Sequence, residues 1–218
     1  QRQMCIRDRS AALAAGAPLP AAAMLANASA GVSVGKQGTA TVSQGELLEA
    51  LHLEELAATD GKIAELARAR AVAAACRAQG LKVGFANGCF DLIHPGHVHL
   101  LTEARAACDR LIVALNTDAS VKRLKGPTRP LQDETARAIV MASLSPVDLV
   151  ILFDEDTPLE AIRAIRPDVL VKGSDYTVDQ VVGAEDVVGW GGEVVLPTLR
   201  EGHSTTGTIR RMTAAGGP

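Results

Sequence analysis

Past residue 81 the chain alternates between short apolar runs and stretches in which apolar side chains recur every three or four positions. The apolar runs predict buried strands at 83–86, 111–115, 149–153, 169–171 and 194–196. Between and after them the helical period predicts helices at 97–108, 133–144, 158–165, 185–190 and 205–212. In the first helix Val98, Leu101, Ala104 and Cys108 share one face. Asp133 and Glu134 suit the positive end of the second. Thr157 reads as the N-cap of the third, with Pro158 at its first position. Gly191-Gly192 ends the fourth. Continuous apolar strands separated by helices predict an α/β fold: a Rossmann-like parallel sheet with helices on both faces. Ligands in such sheets sit beyond the carboxyl ends of the strands.

The first 80 residues follow a different pattern. Residues 1–45 are rich in Ala and Gly, and residues 46–80 show helical spacing of Leu47, Leu48, Leu51, Leu56, Ile63, Leu66 and Val72. Gly61 reads as a break and Gly80 as a C-terminal stop. The expected organisation is therefore 1–45, a helical connector at 46–80, and the α/β domain at 81–218.

Composition narrows the function. Hydrophobic residues are 47% and aromatic residues 2%, so the core must come from Ala, Val, Leu and Ile. A net charge of -3 argues against a nucleic-acid or anionic-membrane partner. The basic residues that matter are local: Lys122, Arg123, Lys125 and Arg129. Cys5, Cys76, Cys89 and Cys108 have no CxxC spacing, which fits free thiols in a reducing cytoplasm. No apolar run reaches the roughly 18 residues of a membrane span. Pro18 and Pro20 interrupt the Ala-rich stretch after Arg2, Arg7 and Arg9, which argues against a secretory leader.

Candidate chemistry follows the strands. The first strand runs into Asn87-Gly88-Cys89-Phe90-Asp91-Leu92-Ile93-His94-Pro95-Gly96-His97. Unpaired N–H groups at a helix start favour an anion, and Gly96 lets a phosphate approach closely. His94 and His97 can donate hydrogen bonds to charge that develops on a phosphoryl group. A metal site built from His94, His97 and His99 with Asp91 or Cys89 is the competing reading. Pro-Gly between two histidines suits a turn better than a ligand-bearing helix face, and no metal ligands are assigned. The basic run at 121–130 reads either as a polyphosphate contact or as a solvated loop. Asp154, Glu155 and Asp156 suit a metal ion or an acidic helix cap equally.

The strand followed by Asn87-Gly88-Cys89-Phe90-Asp91 and His94-Pro95-Gly96-His97 resembles the signature of the HxGH nucleotidyltransferase superfamily. The resemblance implies that His94 and His97 contact nucleotide phosphates and stabilise the transition state, with no covalent enzyme intermediate. It implies nucleotide contacts from Asn87, Gly88, Cys89, Phe90 and Gly96. The segment 121–130 resembles the loop of the heptose 1-phosphate adenylyltransferases, in which a lysine, Lys125 by position, contacts the phosphates. Arg137 matches a family arginine, read as near the site or as an exposed helical salt bridge. Asp91, Arg129 and Arg137 are the implied sugar-phosphate contacts. Lys172, Gly173 and Asp175 follow the fourth strand, where the family has a second glycine and this chain has Ser174. Ser204, Thr205 and Thr206 open the last helix and complete the implied nucleotide set.

The resemblance covers residues 82–212 and implies AMP transfer from ATP, with Mg²⁺, to D-glycero-β-D-manno-heptose 1-phosphate. Residues 25–42 resemble the tail of a ribokinase-like kinase whose catalytic segment is not in this chain, so no kinase activity is expected. Residues 1–9 match neither pattern and read as non-native or as the product of a truncated reading, in which case the apolar face after them would dock elsewhere, pair with another copy or remain mobile. The alternatives are a cytidylyltransferase acting on glycerol 3-phosphate or a similar alcohol phosphate, and a remnant that binds nucleotide without turnover.

Overall fold

A computed structural model describes residues 2–36, 41–57, 59–173 and 176–197. They form two compact units, Gln1–Ala58 and Thr59–Pro218. The first is helical: α1 (Arg2–Ala14), α2 (Leu19–Val34) and α3 (Gln44–Ala57). The chain turns between α1 and α2 at Gly16, and α2 opens with proline in its first turn. α2 buries small side chains, Ala22, Ala26, Ala28 and Ser29. The Ser29 hydroxyl donates to Asp8 at 2.5 Å. Ser43 and Glu46 cap α3 reciprocally: Glu46 accepts from the Ser43 N–H at 2.8 Å, and the Ser43 hydroxyl accepts from the Glu46 N–H at 3.3 Å.

The second unit begins with α4 (Thr59–Lys62) and α5 (Leu66–Ala78). Gly61 lies inside α4, and the break expected there falls at Ile63, which forms an isolated parallel bridge to Val150. Gly80, with φ +75, stops α5 as expected, because a side chain disfavours that conformation. The sheet then assembles from β1 (Val83–Gly88), β2 (Arg110–Asn116), β3 (Leu149–Phe153), β4 (Val169–Val171) and β5 (Glu193–Val195). All neighbours are parallel, in the order β3-β2-β1-β4-β5. The intervening helices are α6 (Pro95–Ala106), α7 (Asp118–Lys125), α8 (Glu134–Ala142), α9 (Leu159–Ile165) and α10 (Ala184–Gly189), with a 3₁₀ turn at Val178–Gln180.

Alternate strand residues point to opposite faces, and both faces are covered. Ala86, Leu111, Val113, Leu115, Val150, Val169 and Val171 share a cluster with Leu101 and Ala104 of α6 and Ala138 and Met141 of α8. Val83, Phe85, Ile112, Ala114, Leu149, Ile151 and Leu170 are also buried. The aliphatic core read from composition is therefore what forms. At the amino edge of the sheet, aspartates hold the strand starts. Asp109, Asp148 and Asp168 accept from the N–H groups of Lys82, Leu111 and Val83, each at 2.8 Å. These acids mark the edge opposite the expected ligand side.

Several local expectations are corrected. The segment read as a basic loop is helical from Asp118 to Lys125. Thr117 caps it by accepting from the Ser120 N–H, and its basic residues sit in the last turn, where the helix dipole favours them. α6 starts at Pro95 and not at 97, because proline needs no N–H partner at a first helical position. That start exposes Val98 and buries Leu100 with Leu101 and Ala104. Thr157 does not cap α9: the N-cap is Pro158, without a side-chain cap bond. The Thr157 side chain instead lies beside the cavity described below. The helix expected at 205–212 lies outside the described residues. No described helix is long and apolar enough to cross a membrane.

Candidate active site

At the carboxyl end of β1 the chain turns sharply. Phe90 adopts φ 44, in the left-handed region that side chains disfavour. A Cβ on Gly88 would lie 3.1 Å from the Phe90 ring, so glycine there lets the ring fold back. The buried Phe90 ring then packs against His97, with centroids 4.9 Å apart and planes tilted by 59°. His94 is the N-cap residue of α6 and His97 lies one turn on. Their rings stack at 3.7 Å with planes 19° apart. Burial lowers the His97 pKa to about 4, and the charges of His94 and Lys125 push it the same way, against the Leu92 backbone hydrogen bond. His97 is therefore a neutral imidazole at neutral pH.

Behind this turn lies a buried polar lattice. Asp91 is 2% exposed. It accepts from Arg129 Nε at 2.5 Å and from the N–H groups of Leu131 and Gln132 at 2.8 and 3.1 Å. Arg137 is 1% exposed, which removes the exposed-salt-bridge reading. It donates to the carbonyls of Gln132 and Cys89 at 3.1 and 2.7 Å and to Asp118 at 2.7 Å. One guanidinium thus ties the β1 turn, the start of α7 and the segment leading into α8. Glu134 adds a bond to the Asp118 N–H at 2.7 Å. The Nη2 atom of Arg129 is buried without a hydrogen-bond partner among the described residues.

In front of the turn is a cavity of about 320 Å³. It lies beyond the carboxyl ends of the strands: Asn87 and Gly88 of β1, Asn116 of β2 and Phe153 of β3 line it, as does Lys172 just after β4. The sheet order reverses between β1 and β4, the place where such folds bind ligands. Lys172 spans that crevice, with Nζ 3.4 Å from the Asn87 carbonyl and 3.3 Å from its side-chain oxygen. The Lys172 ammonium sits over the Tyr176 ring at 5.3 Å. Lys125 and Cys89 also line the cavity.

The structure therefore gathers Asn87, Gly88, Cys89, Lys125 and Lys172 around one space, with His97 within the field of Lys125. Gly96 is buried in the first turn of α6. Asp91, Arg129 and Arg137 are not among the lining residues; they form the lattice behind it. Gly173 follows Lys172. Asp175, Ser204, Thr205 and Thr206 lie outside the described residues. Sequence reasoning assigned no role to Asn116, which is 4% exposed, donates to Ser120 Oγ at 3.0 Å and accepts from the Cys89 thiol at 3.6 Å. Its place at the end of an apolar strand was the available signal. Asp154 and Asp156 do not cap α9 and instead pair with Arg123 at 3.5 and 3.0 Å. Among the described residues no three His, Cys, Asp or Glu side chains converge as a metal ion would require.

The family model described as cytidylyltransferase-like matches residues 85–211. The "Bifunctional protein HldE" of Paramagnetospirillum magneticum is 59% identical over 203 residues, 93% of this chain and 42% of that protein. The protein of the same name from Caulobacter sp. (strain K31) is 63% identical over 203 residues, again 93% of this chain and 42% of its own length. The chain thus spans about two-fifths of the length of the curated relatives it matches. A solved structure of the lipopolysaccharide core biosynthesis protein from Thermoplasma volcanium is 29% identical, with a TM-score of 0.47, over 56% of this chain and 98% of that one. The matched segment holds the β1 turn, the stacked histidines, Lys125 and Lys172, and the chain belongs to the cytidylyltransferase-like family.

Proposed function

We propose that this chain transfers AMP from ATP to D-glycero-β-D-manno-heptose 1-phosphate, releasing pyrophosphate and forming ADP-heptose, a precursor of the lipopolysaccharide core. The observation that carries this reading is the arrangement at the strand ends. Lys125 and Lys172 line the cavity beyond the strand ends, and His94 and His97 stack at the start of the helix that follows β1. Such a constellation binds a polyphosphate and stabilises charge as it shifts during transfer. The family match and the relatives named HldE favour the sugar-phosphate acceptor over an alcohol phosphate.

In this reading a phosphate oxygen of the sugar 1-phosphate attacks the α-phosphorus of ATP. The bond to the bridging oxygen breaks, and pyrophosphate leaves with that electron pair. The protein forms no covalent bond. His94 and His97 are assigned to the phosphoryl oxygens, and Lys125 and Lys172 offset the charge carried by the leaving pyrophosphate. Arg129, bonded to Asp91 at 2.5 Å, remains assigned to the acceptor phosphate. Asp91 and Arg137 act through the loops they hold. Asp175, Ser204, Thr205 and Thr206 remain assigned to the nucleotide.

ATP is the Mg²⁺ complex in this scheme, with the ion held by the phosphates. The residues fit that arrangement: Asp156 lines the cavity but is paired with Arg123. A cytoplasmic setting suits the free thiols of Cys76, Cys89 and Cys108.

The test is pyrophosphate release by purified protein with Mg²⁺, heptose 1-phosphate and either ATP or CTP. Release with ATP alone is expected. Release with CTP alone would replace this reading by a cytidylyltransferase. No release from folded protein that binds ATP would leave a nucleotide-binding remnant or a different acceptor.

A further inference from the structure

The rim of the cavity carries a charge pattern that the reaction does not explain. α7 ends in Lys122, Arg123 and Lys125. Lys125 lines the cavity, and so does Asp156 from the segment between β3 and α9. A polyphosphate brought to this space would meet a carboxylate that repels it and that competes for the nearby ammonium. Arg123 removes both problems. Its Nε donates to Asp156 Oδ1 at 3.0 Å, Nη1 lies 3.5 Å from Asp154 Oδ2, and Nη2 donates to the Asp154 backbone carbonyl. Asp154 has a second partner, since the Thr117 hydroxyl donates to it. Among the described residues the only ion-pair partner of Asp156 is Arg123. Residues two apart on a helix do not face each other.

We propose that Arg123 is a positioning residue for nucleotide binding: it masks the Asp156 carboxylate at the cavity rim and so leaves Lys125 to the phosphates of ATP. This rests on the reading of the cavity as a nucleotide site. The pair is exposed, with side chains 45% and 72% accessible, so its contribution to folding is small. Its effect is local and electrostatic, on a ligand that carries several negative charges.

The experiment is a two-position cycle with ATP binding measured by calorimetry without acceptor, alongside KM and kcat for turnover. Arg123→Gln weakens ATP binding about tenfold and raises KM for ATP in step, while kcat stays within about threefold. Adding Asp156→Asn to Arg123→Gln restores affinity to within about twofold of the unaltered protein, because no unmasked carboxylate remains. Thermal melts of both variants stay close to the unaltered protein. If the double variant binds ATP no better than Arg123→Gln, the pair acts by fixing α7 and the proposal fails. It also fails if Arg123→Gln binds ATP normally. Unaltered protein that does not bind ATP would instead overturn the nucleotide site itself. Binding without turnover on heptose 1-phosphate would overturn only the acceptor.

Discussion

Two walls of the site are built on opposite physics. The β1–α6 wall is packed and uncharged, with Phe90 buried and the two histidines half-buried. Phe90 packs on His97, His97 stacks on His94, and burial keeps His97 neutral. The α7 wall is exposed and charged, with Lys122, Arg123 and Lys125 in the last turn of a capped helix and Arg123 held by ion pairs. The first wall fixes geometry, because side chains packed on all sides have one arrangement. The second supplies field, because long cations reach for phosphates and are weakly constrained. Arg137 belongs to both, bonding the Cys89 carbonyl on one side and Asp118 at the start of α7 on the other. A transferase needs both properties at once: a rigid place for the phosphorus under attack and a cationic place for the leaving pyrophosphate.

The comparison can be broken most severely on the buried side. His97→Ala is expected to lower kcat by about 10² to 10³, the cost of one fixed donor at a developing charge, with ATP affinity changed far less. Steady-state turnover with ATP and the sugar phosphate checks it, and a change confined to KM would show that His97 only binds. Removing the shared residue comes next. Arg137→Gln strands the Cys89 and Gln132 carbonyls and the Asp118 carboxylate, and should cost about 3 kcal/mol of stability in a denaturant titration. A loss below about 1 kcal/mol would mean the lattice is not what joins the walls.

The smallest effects sharpen the contrast, because pH and salt act on different walls. His97 has a folded pKa of about 4, below its unfolded value near 6.5. Between those values the unfolded chain binds the extra proton, so stability rises with pH. The contribution is complete above about 6.5, is lost as pH falls towards 4, and changes no further below it. His97→Phe should flatten that window in melts run across pH. Salt should leave the window in place and weaken ATP binding, since the exposed cations of α7 are screened within about 10 Å at 0.1 M. A titration in which salt abolished the pH window would contradict the assignment of neutrality to burial.

Much of this was readable along the chain. The strands at 111–115, 149–153 and 169–171 form within a residue of their apolar runs, because continuous hydrophobic stretches of that length suit a sheet covered on both faces. α7 was legible in principle. Thr117 and Asp118 before a run ending in Lys122, Arg123 and Lys125 spell a capped helix with its charges at the right ends. A run of cations instead suggested a loop, since charge density says nothing about backbone. The burial of Arg137 was not legible: its charge favours the surface, and only the partners gathered around it make burial tolerable.

By itself the sequence determined what depends on neighbours along the chain: the strands, the Gly80 stop, the turn after β1 and the histidines set one helical turn apart. Those follow from local sterics, hydrophobic spacing and capping, each satisfied within a few residues. Only the tertiary structure decided which charges meet. Asp91 and Arg129 are 38 positions apart, and Lys172 and Asn87 are 85 apart. The second pairing exists because the sheet places β4 beside β1, and a contact between distant positions leaves no period or spacing to read.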